Sequence, residues 1–447
     1  MQRYSVLALR LLLIGIVAFS GNQEICATIQ SGSPNRTSVR HGAVVASPVR
    51  NRGELSRLWH EAGLASTRND PTAARDTYRL LLKVCSFRQT SSATWYAAMA
   101  EFGIARTSSR IAASTQSPSD SAETRLALLK ALKCEFWNFE VLERDSILSN
   151  VAGRQWFDSL VSVYKVLRQI STQTWTPQPP LLILPVTDPI VAARLPASFP
   201  HRPITTESVL TMDSTQRAEL RIAQTIPLDD LNRVPASEMI AIKHRPLVIT
   251  LHGGCASYRE FSHHWFRVAD SLGLSILVPP GTVRHGEDMN SWEGSIESID
   301  EDVSAVLDRF EQESGAQPET YVAGFSQGAT AAIKIGIMHP DRYRGVFSVA
   351  GLLDGPLPDE LLRTSADAGL CIYAMSGEFD SPNFRASLEA AGRQCMHASL
   401  PFKLEIIPDV IHEVPRPFAM YFGSALNWIK DRQAARVAQS SMVKSRQ

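Results

Sequence analysis

The five residues Gly324-Phe-Ser-Gln-Gly328 place the tightest constraint on what this chain can fold into. They follow the β-rich run Thr320-Tyr-Val-Ala323 and precede Ala329-Thr-Ala-Ala-Ile-Lys-Ile-Gly336, which is typical of a helix. A serine between two glycines at such a junction predicts a sharp strand-to-helix turn, because glycine accepts unusual dihedral angles and lets neighbouring backbone come close. The hydroxyl of Ser326 is then expected to be exposed at the end of a strand.

Short apolar runs alternate with helix-like segments from residue 245 onward. The runs cover residues 246–251, 274–278, 320–323, 345–350, 370–375 and 403–407. Strands that are apolar at nearly every position are buried on both faces, which is typical of a mostly parallel sheet covered by helices. The sequence therefore predicts an α/β domain over residues 244–433, followed by a tail at 434–447.

Three residues with the chemistry of a catalytic triad follow predicted strands in the order nucleophile, acid, histidine. Ser326 is the nucleophile candidate, Asp380 follows the run at 370–375, and His412 follows the run at 403–407. Because the carboxyl ends of the strands meet at one edge of an open α/β sheet, we expect these side chains to converge. An imidazole can take the serine proton, and a carboxylate holds the imidazole in the required tautomer. Glu378 and Asp409 are the rival acids.

Two glycines after the first clear strand indicate a second part of the site. Leu251-His-Gly-Gly254 ends the run at 246–251, and glycine there lets the backbone approach a substrate. We expect the backbone N–H of Gln327 and that of Gly254, with Gly253 as the alternative, to form an oxyanion hole. Removing one such donor costs roughly 3–4 kcal/mol in other enzymes. His252 is interpreted as a packing residue that shapes this turn.

These segments together resemble the phospholipase/carboxylesterase family, which includes acyl-protein thioesterases and small carboxylesterases. The resemblance rests on the serine motif, on Leu251-His-Gly253 and on the stretch from Val278-Pro-Pro-Gly to Asn290-Ser-Trp292, and covers about residues 245–432. It implies an α/β-hydrolase fold and hydrolysis of small acyl esters or thioesters without a cofactor or metal. Trp292 and His285 become candidates for the substrate pocket, and a structural role in the loop is the alternative for both.

Two other functions are compatible with the same residues. Serine peptidases and polyester depolymerases share the triad on this fold, and cleavage of peptide anilides without ester cleavage would favour a peptidase. A catalytically silent scaffold that kept the fold is the alternative from another class, although the presence of all three triad residue types argues against it.

Residues 52–175 show a helical pattern instead. Apolar residues recur at helical spacing in five blocks, with Trp95 and Phe102 early in one of them. Paired helices of this kind resemble tetratricopeptide-type repeats, and an ordinary helical bundle is the alternative. A repeat array would offer a surface to a protein partner, and restriction of substrate access is the other role we consider for this region. The Pro-rich segment 176–243 is predicted to be a linker that also supplies early strands of the sheet.

The first 20 residues predict a secretory signal peptide. Arg3 and Arg10 precede a short apolar run and then small residues. We therefore expect an exported protein, periplasmic or extracellular, with an N-terminal membrane anchor as the alternative. Residues 21–51, rich in Ser, Arg, Gly and Pro, predict a disordered leader.

The chain carries 45 basic and 45 acidic residues, and this balance argues against a nucleic-acid partner. No later segment predicts a membrane span, and the six cysteines permit disulfides without choosing partners.

Overall fold

The computed structural model describes residues 52–87, 91–133, 139–173, 178–200, 204–286, 289–353 and 355–444. Its contacts divide the chain at residue 176 into two compact units. The predicted signal peptide (1–20), the predicted leader (21–51), Cys26 and Cys134 lie outside the described residues. None of the helices in the described ranges is long and apolar enough to cross a membrane.

The first unit consists of helices, of which the first four pack on one another in sequence order. Their shared core is apolar and fully buried at positions such as Leu58, Leu81, Leu128 and Phe157. The helices are α1 (Arg52–Thr67), α2 (Pro71–Cys85), α3 (Ser91–Thr115), α4 (Pro118–Lys133), α5 (Phe139–Arg144), α6 (Ser146–Ala152) and α7 (Arg154–Gln173).

The helices of the first unit do not keep the period of a repeat array. The first four begin at residues 52, 71, 91 and 118, and α3 has 25 residues where α2 and α4 have 15 and 16. Tetratricopeptide arrays repeat a helix pair at a constant period of about 34 residues. The tetratricopeptide-like interpretation is therefore not supported, and the arrangement is that of a helical bundle.

The second unit is built around an eight-stranded sheet. The strand order is β10-β9-β8-β7-β3-β4-β1-β2, and all pairs are parallel except those that β1 makes with β4 and β2. A separate antiparallel pair, β5 and β6, lies outside it. The strands are β1 (Leu181–Ile183), β2 (Thr225–Pro227), β3 (Leu247–Leu251), β4 (Ser275–Val278), β5 (Val283–Gly286), β6 (Met289–Ser291), β7 (Thr320–Phe325), β8 (Gly345–Val349), β9 (Cys371–Gly377) and β10 (Phe402–Ile407).

Helices cover both faces of this sheet, which confirms the predicted α/β architecture. Along β3, Leu247 and Ile249 belong to one apolar cluster, whereas Val248 belongs to a second cluster on the opposite face. The helices are α8 (Pro189–Arg194), α9 (Thr206–Thr211), α10 (Ser214–Gln224), α11 (Ala236–Lys243), α12 (Tyr258–Ser262), α13 (Phe266–Leu272), α14 (Ile296–Ser314), α15 (Gln327–Met338), α16 (Asp359–Ala368), α17 (Pro382–His397) and α18 (Phe418–Lys444), with a 3-10 helix at Leu228–Arg233.

The segment between the two patterned regions belongs to the second unit. It supplies β1, whose Leu182 lies opposite Leu277 of β4, so it extends the sheet at one edge. A buried ion pair between Asp188 and Arg245 (2.5 Å) fastens it to the start of β3. The predicted early strands are therefore present, although each has only three residues.

Candidate active site

Ser326 lies at the junction of β7 and α15 in a strained backbone conformation. Its φ of 54° and ψ of −117° are unusual for a residue with a side chain. A Cβ on Gly324 would lie 2.2 Å from the carbonyl oxygen of Gly328, and a Cβ on Gly328 would lie 2.3 Å from that of Leu251. Both flanking positions therefore require glycine, as the tight turn predicted from the sequence demands.

A strained serine between two such glycines, at the carboxyl end of a central strand of a mostly parallel sheet, has the geometry of a nucleophile elbow. The second unit has the α/β-hydrolase fold. This confirms the fold that the sequence motifs implied for about residues 245–432, and it extends the fold's sheet back to β1.

The α/β-hydrolase unit brings Ser326, His412 and Asp380 into one hydrogen-bonded chain. The Nε2 of His412 lies 2.9 Å from the Oγ of Ser326. The Nδ1 of His412 lies 3.0 and 3.1 Å from the two carboxylate oxygens of Asp380. The Asp380 side chain is only 1% exposed, whereas that of His412 is 33% exposed. A buried carboxylate thus orients an imidazole that is open to solvent next to the serine hydroxyl.

The two rival acids, Glu378 and Asp409, contact each other rather than His412. Glu378 and Asp409 are both exposed. An oxygen of Glu378 accepts the backbone N–H of Asp409 at 3.2 Å, and Asp409 has a left-handed φ of 57°. Within the described part of the chain, the imidazole of His412 makes its hydrogen bonds to Asp380 and Ser326. Asp409 is therefore a turn residue, and Glu378 supports that turn.

The turn after β3 lies directly against the elbow. A Cβ on Gly254 would be 3.0 Å from the Oε1 of Gln327, and one on Gly253 would be 3.5 Å from the Cβ of Ser326. The backbone N–H of the next residue, Cys255, donates to the Oγ of Ser291 at 2.9 Å. The three residues predicted to supply oxyanion donors therefore lie together beside the serine.

His252 supports this turn from below. The ring is fully buried, and its nitrogens lie 2.7 Å from the carbonyl oxygen of Gly253 and 2.9 Å from that of Pro280. Burial lowers the pKa of His252, because the charged ring would be removed from water. This agrees with the structural role predicted for it.

The two predicted pocket residues lie in the segment around β5 and β6. Trp292 is 3% exposed, and its indole N–H donates to the carbonyl oxygen of His252 at 2.8 Å. His285 is also buried, with its Nε2 2.6 Å from an oxygen of Glu293. Trp292 therefore touches the turn after β3, whereas His285 is paired within its own loop.

Aromatic side chains beside the histidine were not identified from the sequence. The rings of Phe384 and Phe325 lie 4.5 Å and 5.2 Å from the ring of His412, measured between centroids. Phe379, next to Asp380, is 52% exposed. Phe325 stands inside the serine motif and could have been noticed there. Phe384 is at the start of α17, and no sequence period links that helix to the loop that carries His412.

One curated protein is similar to part of this chain. "Putative esterase NocK" from Nocardia uniformis subsp. tsuyamanensis is 33% identical to it over 141 residues. The match covers 29% of this chain and 39% of that protein, so the chain spans well under half of its relative. No family model matches the sequence.

Several solved structures are similar to about two fifths of the chain. Esterase PE8 is 18% identical with a TM-score of 0.35, over 42% of this chain and 93% of its own. Arabidopsis thaliana SOBER1 is 22% identical with a TM-score of 0.34, over 42% and 99%. A carboxylesterase from Mesorhizobium loti is 17% identical with a TM-score of 0.36, over 42% and 91%.

Proposed function

We propose that this chain is a serine hydrolase that cleaves carboxylic esters or thioesters through an acyl-enzyme. The observation that carries the proposal is the hydrogen-bonded chain from Ser326 through His412 to the buried Asp380. The similarity to a protein named as an esterase supports an ester rather than a peptide as substrate. The substrate is a small acyl ester or thioester.

The proposed reaction has two halves. The Nε2 of His412 takes the proton of Ser326 while the serine oxygen attacks the carbonyl carbon, and the imidazolium is stabilised by Asp380. The backbone N–H groups of Gln327 and Gly254 donate to the oxygen that becomes negative. His412 then gives the proton to the departing alcohol or thiol. A water molecule, deprotonated by His412, attacks the acyl-enzyme and releases the acid and Ser326.

The surroundings of His412 bear on the leaving group. Because Nε2 must protonate the departing atom, the alcohol or thiol lies beside this ring. The ring is flanked by Phe384, and the carboxyl of Glu413 follows directly in the chain. Partial burial raises the pKa of Glu413, because its ionised form loses contact with water. The ring of Phe384 beside His412 favours an apolar group at this position. We propose an uncharged, apolar leaving group.

The test of this function compares wild type with Ser326→Ala on aryl esters, acyl thioesters and peptide anilides. We expect hydrolysis of esters or thioesters by wild type and a loss of at least about 1000-fold in the variant. Cleavage of anilides without cleavage of esters would instead favour a peptidase. A well-folded wild type that cleaves none of them would favour the silent scaffold.

We also propose that the protein is exported. The support is the order of Arg3 and Arg10, an apolar run and small residues at the N-terminus. Sequencing the N-terminus of protein purified from its own host tests this. A mature chain beginning near residue 21 is expected, and a cytosolic chain that begins at Met1 would contradict export.

A further inference from the structure

The side chain of Gln327 makes contacts that its backbone role does not require. We infer that this amide is a positioning residue, which holds the oxyanion turn (His252–Gly254) and the segment 290–292 in register with the nucleophile. The inference rests on the proposed function, and it adds a role for a side chain whose hydrogen bonds, within the described part of the chain, go to Trp292.

Gln327 pairs with both polar groups of one backbone residue. Its Oε1 accepts the N–H of Trp292 at 3.0 Å, and its Nε2 donates to the carbonyl oxygen of Trp292 at 2.9 Å. The amide thus bonds Trp292 much as a neighbouring strand would. Since Gln327 is the first residue of α15, the position of Trp292 is fixed relative to Ser326, the residue just before it.

Successive residues of the segment 290–292 are in turn fastened to the oxyanion turn and to the two residues that follow it, Cys255 and Ala256. Asn290 exchanges two backbone hydrogen bonds with Ala256, at 3.0 and 3.1 Å. The Oγ of Ser291 accepts the N–H of Cys255 at 2.9 Å. The indole of Trp292 donates to the carbonyl oxygen of His252 at 2.8 Å. Any shift of this segment therefore moves the turn that carries Gly253 and Gly254.

The contacts close into a ring that begins and ends at one residue. From Gln327 they run to Trp292, then to His252, and then to Gly254, where a Cβ would lie 3.0 Å from the Oε1 of Gln327. Donors for a developing oxyanion act only when they are held in place before the reaction, and a misplacement of about 1 Å can cost about 100-fold in rate. The ring sets the distance between the N–H of Gln327 and that of Gly254.

The pairing of Gln327 with Trp292 can be tested by substitution, because it needs one hydrogen-bond donor and one acceptor on the same side chain. An ionised glutamate at position 327 can accept the N–H of Trp292, but it offers nothing to the carbonyl oxygen and repels it. A protonated glutamate has one O–H donor and one free acceptor, as the amide does. The reactivity of Ser326 in Gln327→Glu should therefore recover as the pH falls. In Gln327→Met, which has neither a donor nor an acceptor, it should not recover.

The experiment measures the rate constant for labelling of Ser326 by a fluorophosphonate between about pH 5.5 and 8.5. It is run on full-length wild type, Gln327→Met, Gln327→Glu and a control, Gln433→Met. Gln433 is a matched control because its side-chain amide also donates to a backbone carbonyl, that of Arg344. It lies on α18, away from the segment 290–292. Thermal unfolding of each protein verifies the fold, and kcat and KM are measured on one ester.

We expect Gln327→Met to label about 10- to 100-fold more slowly at every pH, with the loss in kcat rather than in KM. The rate of Gln327→Glu divided by that of wild type should rise at least about 5-fold towards low pH, and the division removes the pH dependence that the two proteins share. Gln433→Met should label at the wild-type rate.

Two results would overturn the inference while leaving the proposed function intact. One is a folded Gln327→Met that labels as fast as wild type. The other is a slow Gln327→Glu whose ratio to wild type does not change with pH, which would indicate packing instead of hydrogen-bond pairing. This second test also holds if Gln327→Met fails to fold. A folded wild type that does not label at all would overturn the proposed function, and the inference with it.

Discussion

At the scale of single residues, the site depends on a serine backbone that neighbouring glycines make possible. Ser326 adopts a φ of 54°, a conformation that costs of order 1–3 kcal/mol and persists only where the surroundings enforce it. The surroundings here are the carbonyl groups that approach Gly324 and Gly328. The strain is concentrated at the residue with the proposed chemical role.

Asp380→Asn tests which carboxylate orients the histidine. An asparagine keeps the shape of the side chain but favours the wrong imidazole tautomer, so kcat on an aryl ester should fall by about 10³- to 10⁴-fold. The matched control is Glu378→Gln, because Glu378 is the exposed rival two positions earlier. It should change kcat by no more than about 3-fold, as expected for an exposed substitution. A larger loss in Glu378→Gln than in Asp380→Asn would contradict the assignment.

Phe384→Ala tests the leaving-group side of the site. The ring of Phe384 lies 4.5 Å from that of His412, where the departing alcohol is expected. Aromatic contacts contribute about 0.5–1.5 kcal/mol, so the preference for a phenyl ester over a methyl ester of the same acid should fall by about 2- to 12-fold in kcat/KM. Phe87→Ala, at a position that is 80% exposed in the first unit, is the control. An unchanged preference would place the leaving group elsewhere.

At this scale, the candidate site residues that could be predicted from the sequence are those that directly follow a recognisable strand. Ser326, Asp380 and His412 each follow a strand whose apolar run is readable, and the fold brings strand ends together. The contact of Phe384 with His412 and the pairing of Gln327 with Trp292 depend on how separate loops approach each other. Side-chain contacts between loops carry no sequence period, so they could not be predicted.

At the scale of secondary-structure elements, one carboxylate links the edge of the sheet to a helix. Asp270 of α13 accepts hydrogen bonds from the N–H of Val186 at 2.7 Å and from the side chain of Gln224 at 2.8 Å. Both partners lie in the segment that extends the sheet at β1. Burial raises the pKa of Asp270 to about 6, because its ionised form loses contact with water.

Asp270→Asn should therefore change how stability depends on pH. In the unfolded chain the carboxyl titrates near pH 3.9, so the folded state binds this proton more tightly. The protonated carboxyl of Asp270 contributes up to about 3 kcal/mol to the free energy of unfolding. This contribution is complete below about pH 4 and is lost as the pH rises through about 6. The oxygen of an asparagine can accept both hydrogen bonds and does not titrate.

The measurement is the free energy of unfolding of the second unit by urea, for both proteins from pH 4 to 7.5. The stability of wild type relative to Asp270→Asn should decline across this range and level off above about pH 7. Parallel profiles for the two proteins would show that Asp270 titrates normally, which would contradict its burial.

The elements of the sheet were predicted in proportion to their length and burial. β3, β7, β8 and β9 have five to seven buried or nearly buried positions each, so their apolar runs stand out. β1 and β2 have three residues each, which is too short for any period to be recognised. In the first unit the helical period was recognised correctly, but the suggested repeat was not supported, since helical spacing alone does not determine how helices pair.

At the scale of the whole molecule, each unit has a core of its own. Among the described residues, the buried members of the apolar cluster of the first unit end at Val161, and those of the two clusters of the second unit begin at Leu181. Separate cores predict that the units unfold in separate steps. The sequence also suggested that the first unit binds a protein partner or restricts substrate access, and both roles are still proposals.

Leu81→Ala tests whether the two units unfold independently. Leu81 is fully buried in the first core, so the substitution should cost about 2–5 kcal/mol and lower the unfolding temperature of that unit alone. Ile249→Ala, at a fully buried position of β3, should lower the other transition. Calorimetry measures both. A single transition that moves with either substitution would contradict independent cores, and a change in Ser326 labelling in Leu81→Ala would favour control of access.

The central claim is that Ser326 is an activated nucleophile. A fluorophosphonate probe reacts with a serine hydroxyl only when a neighbouring base takes its proton, so labelling reports directly on the contact between Ser326 and His412. We predict that wild type is labelled, that the adduct maps to Ser326 by mass spectrometry, and that Ser326→Ala and His412→Ala are not labelled. A well-folded wild type without labelling, or equal labelling of Ser326→Ala, would contradict the account.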